Sequence, residues 1–243
     1  MERRRFLKQL CFLTAGALAS GVSRAATAWA SIKRHDQTKP LYGMGINIDK
    51  CIGCGSCVRA CKTENGVPKE LFYYRTWVER YVKKTNHEVI VSNIDREMEE
   101  VKLTDVVRSF FVPKLCNQCD KPPCVQVCPV EATFTTEEGI ILTDVDRCLG
   151  CRYCVQACPY GARFIHPVTH TADKCTFCYH RISKGMLPAC VEVCPTQARV
   201  FGDFEAAASP LVRLKRIFRI HVLKPGLNTK PKVIYVNLDG EVI

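Results

Sequence analysis

Sixteen of the 17 cysteines fall into four groups of four, and every group closes on a Cys-x3-Cys step. The first is Cys51-x2-Cys54-x2-Cys57-x3-Cys61. The second is Cys116-x2-Cys119-x4-Cys124-x3-Cys128-Pro129, and the third Cys148-x2-Cys151-x2-Cys154-x3-Cys158-Pro159. The fourth is Cys175-x2-Cys178-x11-Cys190-x3-Cys194-Pro195. Three cysteines spaced Cys-x2-Cys-x2-Cys on a tight loop reach three irons of one cube, and a fourth, three residues on and followed by proline, turns away to a second cube. Groups one and three have that spacing. Group two lengthens one gap through Asp120–Pro123, group four inserts a long loop, and group one has Lys62 where the others have proline. These variations change a loop and leave the number of thiolates intact.

Zinc and disulfides are the competing uses of so many cysteines. Structural zinc draws two Cys-x2-Cys pairs to one ion, which leaves the recurring Cys-x3-Cys-Pro unexplained. Disulfides persist in exported proteins, yet neighbouring Cys-x2-Cys residues seldom build a framework, and thiols on iron are unavailable for pairing. A [3Fe–4S] centre would show one cysteine replaced. With four cysteines in each group, the expectation is four [4Fe–4S] clusters, a chain of centres that carries single electrons.

The N-terminus explains the odd cysteine. Arg3-Arg4-Arg5-Phe6-Leu7-Lys8 precedes an apolar stretch, Leu10 to Val22, and small residues up to Ala26-Thr27-Ala28-Trp29-Ala30. A charged start, a short apolar middle and Ala-x-Ala cleavage options make a signal peptide over 1–30. Its Arg3-Arg4-x-Phe6-Leu7-Lys8 core is similar to the twin-arginine export signal. That route suits a chain whose clusters are assembled in the cytoplasm, and it predicts an extracytoplasmic location, periplasmic or on the outer face of the membrane. Cys11 lies within the signal, so cleavage leaves sixteen. The apolar stretch is short of the roughly 20 residues needed to span a bilayer.

The net charge of +11 suggests nucleic acid as a partner. Residues 1–30 hold five basic and one acidic side chain, however, so +4 leaves with the signal and +7 remains. Each oxidised cube with its thiolates brings about −2, which takes the total close to neutral. The basic residues then read as counter-charge to anionic clusters, and no nucleic-acid partner is expected.

The elements that must hold these ligands are small. The expected class is α+β: two bacterial-ferredoxin-like modules, an inserted β-rich segment and a C-terminal extension. The cysteine loops open short helices near Val125–Val127 and Val155–Ala157, and 139–142 and 162–165 supply short hairpin strands. In the insertion, 62–115, Tyr74–Val82 alternates as a strand. Residues 87–92 and 106–112 do likewise, with an acidic, exposed piece at 97–100. Ser209-Pro210 starts a helix, and Lys232–Asn237 forms a strand. These insertions and extensions are expected to cover the modules. The gaps between successive groups permit groups two and three, or three and four, to share a module.

The cysteine pattern, with Cys148-Leu-Gly-Cys-Arg-Tyr-Cys-Val-Gln-Ala-Cys-Pro-Tyr-Gly161 and Ala189-Cys-Val-Glu-Val-Cys-Pro-Thr196, resembles the four-cluster iron–sulfur subunits of respiratory complexes. That family includes the DMSO, polysulfide and tetrathionate reductase subunits, and the likeness covers about 41–240. Within it, the signal, Tyr74–Tyr81 and Ala172–Arg181 look closest to the extracytoplasmic iron–sulfur subunit of the Dsr sulfur-metabolism complex. The resemblance implies a nested pairing. Cys51, Cys54, Cys57 and Cys194 would hold one cube, and Cys61, Cys175, Cys178 and Cys190 its neighbour. Cys116, Cys119, Cys124 and Cys158 would hold a third, and Cys128, Cys148, Cys151 and Cys154 the fourth. Module A is then 41–61 with 170–200 and module B 116–169, within a domain of 31–243 that ends in the extension 201–243.

The resemblance also implies an integral-membrane, quinone-interacting partner of the polysulfide-reductase type, which provides the membrane contact. A further redox subunit, a multihaem cytochrome or a catalytic subunit, completes the path. The chain itself is expected to be non-catalytic, since no molybdopterin, flavin or nucleotide motif accompanies the cysteines. Alternatives are the iron–sulfur subunit of a tetrathionate or polysulfide molybdopterin reductase, of a nitrite-reductase system or of a hydrogenase system, and a structural iron–sulfur protein.

Cluster potentials depend on hydrogen bonds to sulfur, on burial and on local charge. Backbone N–H groups freed by Gly53, Gly55 and Gly150 are the expected donors. Lys174, His180 and Arg181 flank group four, either to tune it, to meet a partner or as solvated surface charge. His166 and His170 read as loop residues, and Trp77 and Tyr81 as strand packing.

Overall fold

In chain order the elements are β1 (Tyr42–Asn47), α1 (Ser56–Asn65), β2 (Thr76–Lys84), β3 (Val89–Asn93), β4 (Val106–Leu115) and α2 (Pro123–Gln126). There follow β5 (Thr133–Thr135), β6 (Ile141–Thr143), α3 (Tyr153–Gln156), β7 (Phe164–Ile165), β8 (Ala172–Asp173), α4 (Tyr179–Ile182) and α5 (Ala189–Glu192). The chain ends with β9 (Arg199–Asp203), α6 (Pro210–Ile217), β10 (Ile220–His221) and β11 (Val233–Val236). This computed structural model describes residues 39–70, 72–96, 102–238 and 242, which lie in one compact unit. The export signal and the acidic piece at 97–100 fall outside the described residues. No helix among the described residues is long and apolar enough to cross a membrane.

The mixture of short helices and small sheets is α+β. β2 pairs antiparallel with both β3 and β4, so the strands expected from the alternation at 74–82, 87–92 and 106–112 form one three-stranded sheet. β5–β6 and β7–β8 are the two short hairpins. The remaining sheet has the order β10-β11-β1-β9, with β11 parallel to β1 and β9 antiparallel to it. The C-terminal extension therefore supplies a central strand of a sheet rather than a cover. The first residues of the expected insertion also lie elsewhere, because α1 begins inside the first cysteine group and runs on to Asn65.

α6 shows how side-chain chemistry builds the support. Pro210 occupies the first helical position, and the Ser209 hydroxyl accepts the Leu211 N–H at 3.3 Å. The helix buries Leu211 and packs on β9 and β1. Gly45 on β1 permits that contact, since a Cβ there would stand 2.5 Å from Leu214 Cδ2. Leu211→Ala is expected to cost about 2–5 kcal/mol. The readout is a lower urea midpoint with an unchanged slope.

Nine of the sixteen cysteines are buried, and several are part of the core itself. Cys57, Cys116, Cys175 and Cys190 pack in one cluster with Met44, Ile46, Val78, Phe177, Phe201 and Tyr235. Cys124 and Cys154 pack in a second with Ile141 and Ala172.

Candidate functional site

The structure brings the sixteen cysteines together in four quartets. Cys51, Cys54, Cys57 and Cys194 line one cavity, closed by Val78, Pro113 and Arg199. Burial pushes the Cys51 thiol up, the Gly53 N–H opposes this, and the neighbouring Cys57 and Cys194 add to it. Cys54 is exposed, and the Ser56 hydroxyl 3.5 Å away holds its thiol down. In the second quartet Cys61 is pushed well up by burial and then by the charges of Cys175, Cys190 and Cys178. All four of these cysteines are buried. The Asn65 amide lies 3.6 Å from both Cys61 Sγ and Cys178 Sγ, and the Phe177 N–H lies 3.4 Å from Cys175 Sγ.

The third quartet is Cys116, Cys119, Cys124 and Cys158. Burial pushes Cys119 up to about 12, the Thr229 hydroxyl opposes it, and the other three sulfurs add to it. Cys128, Cys148, Cys151 and Cys154 line a second cavity together with Thr133, Gly150 and Ala172. There the Ala172 N–H donates to Cys148 Sγ at 3.4 Å. Gly150 has φ +66°, and a Cβ on it would collide with the His170 carbonyl, so this turn requires glycine.

These quartets suit iron–sulfur cubes on their own chemistry. Among the described residues no three His, Cys, Asp or Glu side chains are grouped for one metal ion; a cube instead separates its ligands across its corners. Buried sulfurs that raise one another's pKa remain thiolates only when metal-bound. Donors also face them. Arg163 is 5% exposed, and its Nε and Nη2 have no hydrogen-bond partner, although the Cys124, Cys116 and Cys154 charges raise its pKa against the effect of burial. An additional acceptor, such as a cluster sulfur, would satisfy these nitrogens.

Sequence reasoning grouped Lys174, His180 and Arg181, and the structure separates them. Lys174 is wholly buried, donating to the Ile141 and Cys175 carbonyls. Burial pushes its pKa down, against the pull of the Cys116 and Cys124 sulfurs. His180 pairs with Glu64 at 2.7 Å, and Arg181 pairs with Glu64 at 2.8 Å and with Glu192. His166 accepts the Val168 and Thr169 N–H groups through Nδ1 and organises its own loop. Trp77 and Tyr81 hydrogen-bond Glu79, and Tyr81 stacks on Phe110 at 5.4 Å, as strand-packing residues do.

Three residues near the sulfurs escaped sequence reasoning. Arg199 is 3% exposed, with Nη1 3.7 Å from Cys190 Sγ and Nη2 2.7 Å from Thr76 Oγ1. Lys232 is buried, donates to the Gly139 carbonyl, and is pushed down to about 8 by that burial. Arg163 is the third. A signal for both arginines was present: Cys158-Pro-Tyr-Gly-Ala-Arg163 and Cys194-Pro-Thr-Gln-Ala-Arg199 place them at the same offset.

Two families described as 4Fe-4S dicluster domains match the chain, one over residues 107–204 and one over 50–132. A tetrathionate reductase subunit of Salmonella typhimurium is 44% identical over 244 residues, covering 100% of this chain and 90% of the relative. This chain is a member of the iron–sulfur subunit family of the tetrathionate, polysulfide and DMSO reductases. A tetrathionate reductase subunit of Archaeoglobus fulgidus is 47% identical over 82% of this chain and 83% of its own. A polysulfide reductase polypeptide of Wolinella succinogenes is 39% identical over 80% and 93%. As a member of this iron–sulfur subunit family with two dicluster domains, the chain carries four [4Fe–4S] clusters and transfers electrons. It is a non-catalytic subunit of a larger reductase complex.

Proposed function

We propose that each quartet holds one cube and that the four cubes form a single line. In this line the subunit passes electrons between a quinone-interacting membrane subunit of the polysulfide-reductase type and a further redox subunit. A bound cube supplies one-electron oxidation and reduction without transfer of atoms. The side chains fix its position, exclude water from the middle of the line and set its charge environment.

The observation that carries this reading is the gradient of exposure along the quartets. Cys54 is exposed in the first, beside Ile52 at 60% exposure. Cys151 is exposed in the fourth, beside Leu149 at 71% and Tyr153 at 58%. Every cysteine of the second quartet is buried, as are Cys116, Cys119 and Cys124 of the third. Cysteine-bearing surfaces with exposed apolar side chains at the first and fourth quartets suit two docking partners. Arg199 lies next to the first and second quartets, and Lys174 next to the third quartet and Cys175 of the second.

The twin-arginine core at Arg3-Arg4 places the mature subunit outside the cytoplasm in this reading. Full-length likeness to the Salmonella tetrathionate reductase subunit favours a sulfur-compound reductase as the host complex. The narrower Dsr-type likeness is supported by the export signal and the runs 74–81 and 172–181. Anaerobic purification from native membranes, with identification of the bound subunits and an iron count, tests the whole reading. About sixteen irons and a quinone-reactive membrane subunit are expected. An iron content near eight, or a chain that elutes alone from gently solubilised membranes, would overturn it.

A further inference from the structure

The Cys-Pro-x-x-Ala-Arg repeat has a structural counterpart that the ligand pattern does not require. Each Cys-x3-Cys step divides its two sulfurs between neighbouring quartets: Cys154 and Cys158 between the fourth and third, Cys190 and Cys194 between the second and first. Five residues after the crossing cysteine, the chain returns an arginine to the same junction. Arg199 lines the cavity of Cys51, Cys54, Cys57 and Cys194, yet its Nη1 is 3.7 Å from Cys190 Sγ of the second quartet. The sulfurs that raise its pKa most are Cys57 and Cys190, with Cys61 of the second quartet also contributing.

Arg163 repeats the arrangement. Its anionic neighbours are Cys124 and Cys116 of the third quartet and Cys154 of the fourth. Its Nη1 donates to Thr133 Oγ1 at 3.2 Å. Thr133 is itself the residue at the matching offset in the second group, Cys128-Pro-Val-Glu-Ala-Thr133. Arg199 has an equivalent anchor in Thr76 Oγ1 at 2.7 Å. Sulfurs, and not carboxylates, are thus the chief counter-charges of both arginines, and a guanidinium remains charged at any pH a folded protein tolerates.

We propose that Arg199 and Arg163 are shared tuning cations, each fixing the potentials of two adjacent clusters together. This rests on the four-cube reading above. A reduced cube carries one more negative charge than an oxidised one, so a fixed cation in a low-dielectric junction favours reduction of both neighbours. Because both potentials move in the same direction, the difference between them, which drives the hop, changes little. A positioning role alone would leave the potentials untouched while weakening cluster retention.

Potentiometric titration of the full holo-protein, followed by EPR, separates these cases. In Arg199→Met the reduction equilibrium of two of the four centres is expected to fall at least tenfold, a lowering of about 59 mV for a one-electron couple, with the other two moving less than about threefold. Arg163→Met is expected to lower the complementary pair. Arg199→Lys and Arg163→Lys, which keep the charge, are expected to hold all four centres near their original values. Should the methionine variants lose iron, Arg199→Gln and Arg163→Gln, which can still reach Thr76 and Thr133, carry the same measurement. A shift confined to one centre, the same pair shifted by both arginines, or no shift with about sixteen irons retained would overturn the proposal. An iron count well below sixteen in the unmodified protein would instead refute the four-cube reading.

Discussion

Anaerobic removal of iron with a strong chelator is expected to unfold the chain as a whole, with loss of its near-ultraviolet circular dichroism and of its resistance to protease. Cys57, Cys116, Cys175 and Cys190 belong to the same buried cluster as Met44, Val78, Phe201 and Tyr235, so the quartets are part of the hydrophobic core. Arg163, Lys174, Arg199 and Lys232 are buried cations whose anionic neighbours include these sulfurs. Without iron, burial drives the thiols to their neutral form, as it does Cys190, which is pushed up to about 11. The cations then lose their counter-charge. Stripping one partner from a buried ion pair costs about 3–5 kcal/mol. Several such losses together rival the roughly 5–15 kcal/mol by which a typical domain is stable. Metal binding and folding are then one equilibrium. An iron-free chain that keeps its near-ultraviolet signal would show that the apolar core suffices.

Arg75→Met is expected to loosen the second quartet by about 10–100-fold in metal retention. Arg75 donates to Asp173 through Nε at 3.0 Å and pairs with its other oxygen through Nη2 at 2.8 Å, a two-pronged contact with little exposure on either side. Nη1 also donates to Asn65 Oδ1 at 2.9 Å. This bond fixes which face of the Asn65 amide is turned to Cys61 and Cys178. Without Arg75, the Asn65 amide is held only by its 3.0 Å bond to the Cys61 carbonyl and its two sulfur contacts, and Asp173 loses its guanidinium. The stability loss is about 3 kcal/mol, the lower end for a pair not wholly buried. Timed chelator challenge reads the effect as a fast phase of about four irons. Arg75→Lys should not restore retention, because a point charge cannot make both prongs and the Asn65 bond. Uniform release of all the iron would place Arg75 in general stability instead.

The parts of this molecule legible in the sequence are those governed by short-range rules. The strand alternation at 74–82 emerged as β2, and Ser209-Pro210 as the start of α6, because period and capping are local chemistry. The cysteine groups stood out for the same reason: a loop that reaches a cube has few workable spacings. What escaped was set by long-range contacts. Tyr42–Asn47, with its two glycines, carries a weak strand signal, yet it lies inside a sheet because Val233–Val236 and Arg199–Asp203 pair on either side of it. For Lys174 the sequence left tuning of group four, partner contact and solvated surface charge all open. Only the fold shows it enclosed near sulfurs from two groups. His180 and Arg181, a few residues further on, did remain at the surface, in ion pairs with Glu64.

The parallel register of β11 on β1, Met44 against Val233 through Asn47 against Val236, joins strands from opposite ends of the described chain. A ribosome synthesising this protein emits β1 long before the strand that must lie beside it. A polypeptide halted anywhere before residue 233 lacks the strand that separates β10 from β1, and Tyr235 is missing from the packed interior. Until residues 233–236 have been made, β1 has β9 as its one neighbour in this sheet, and β10 has none.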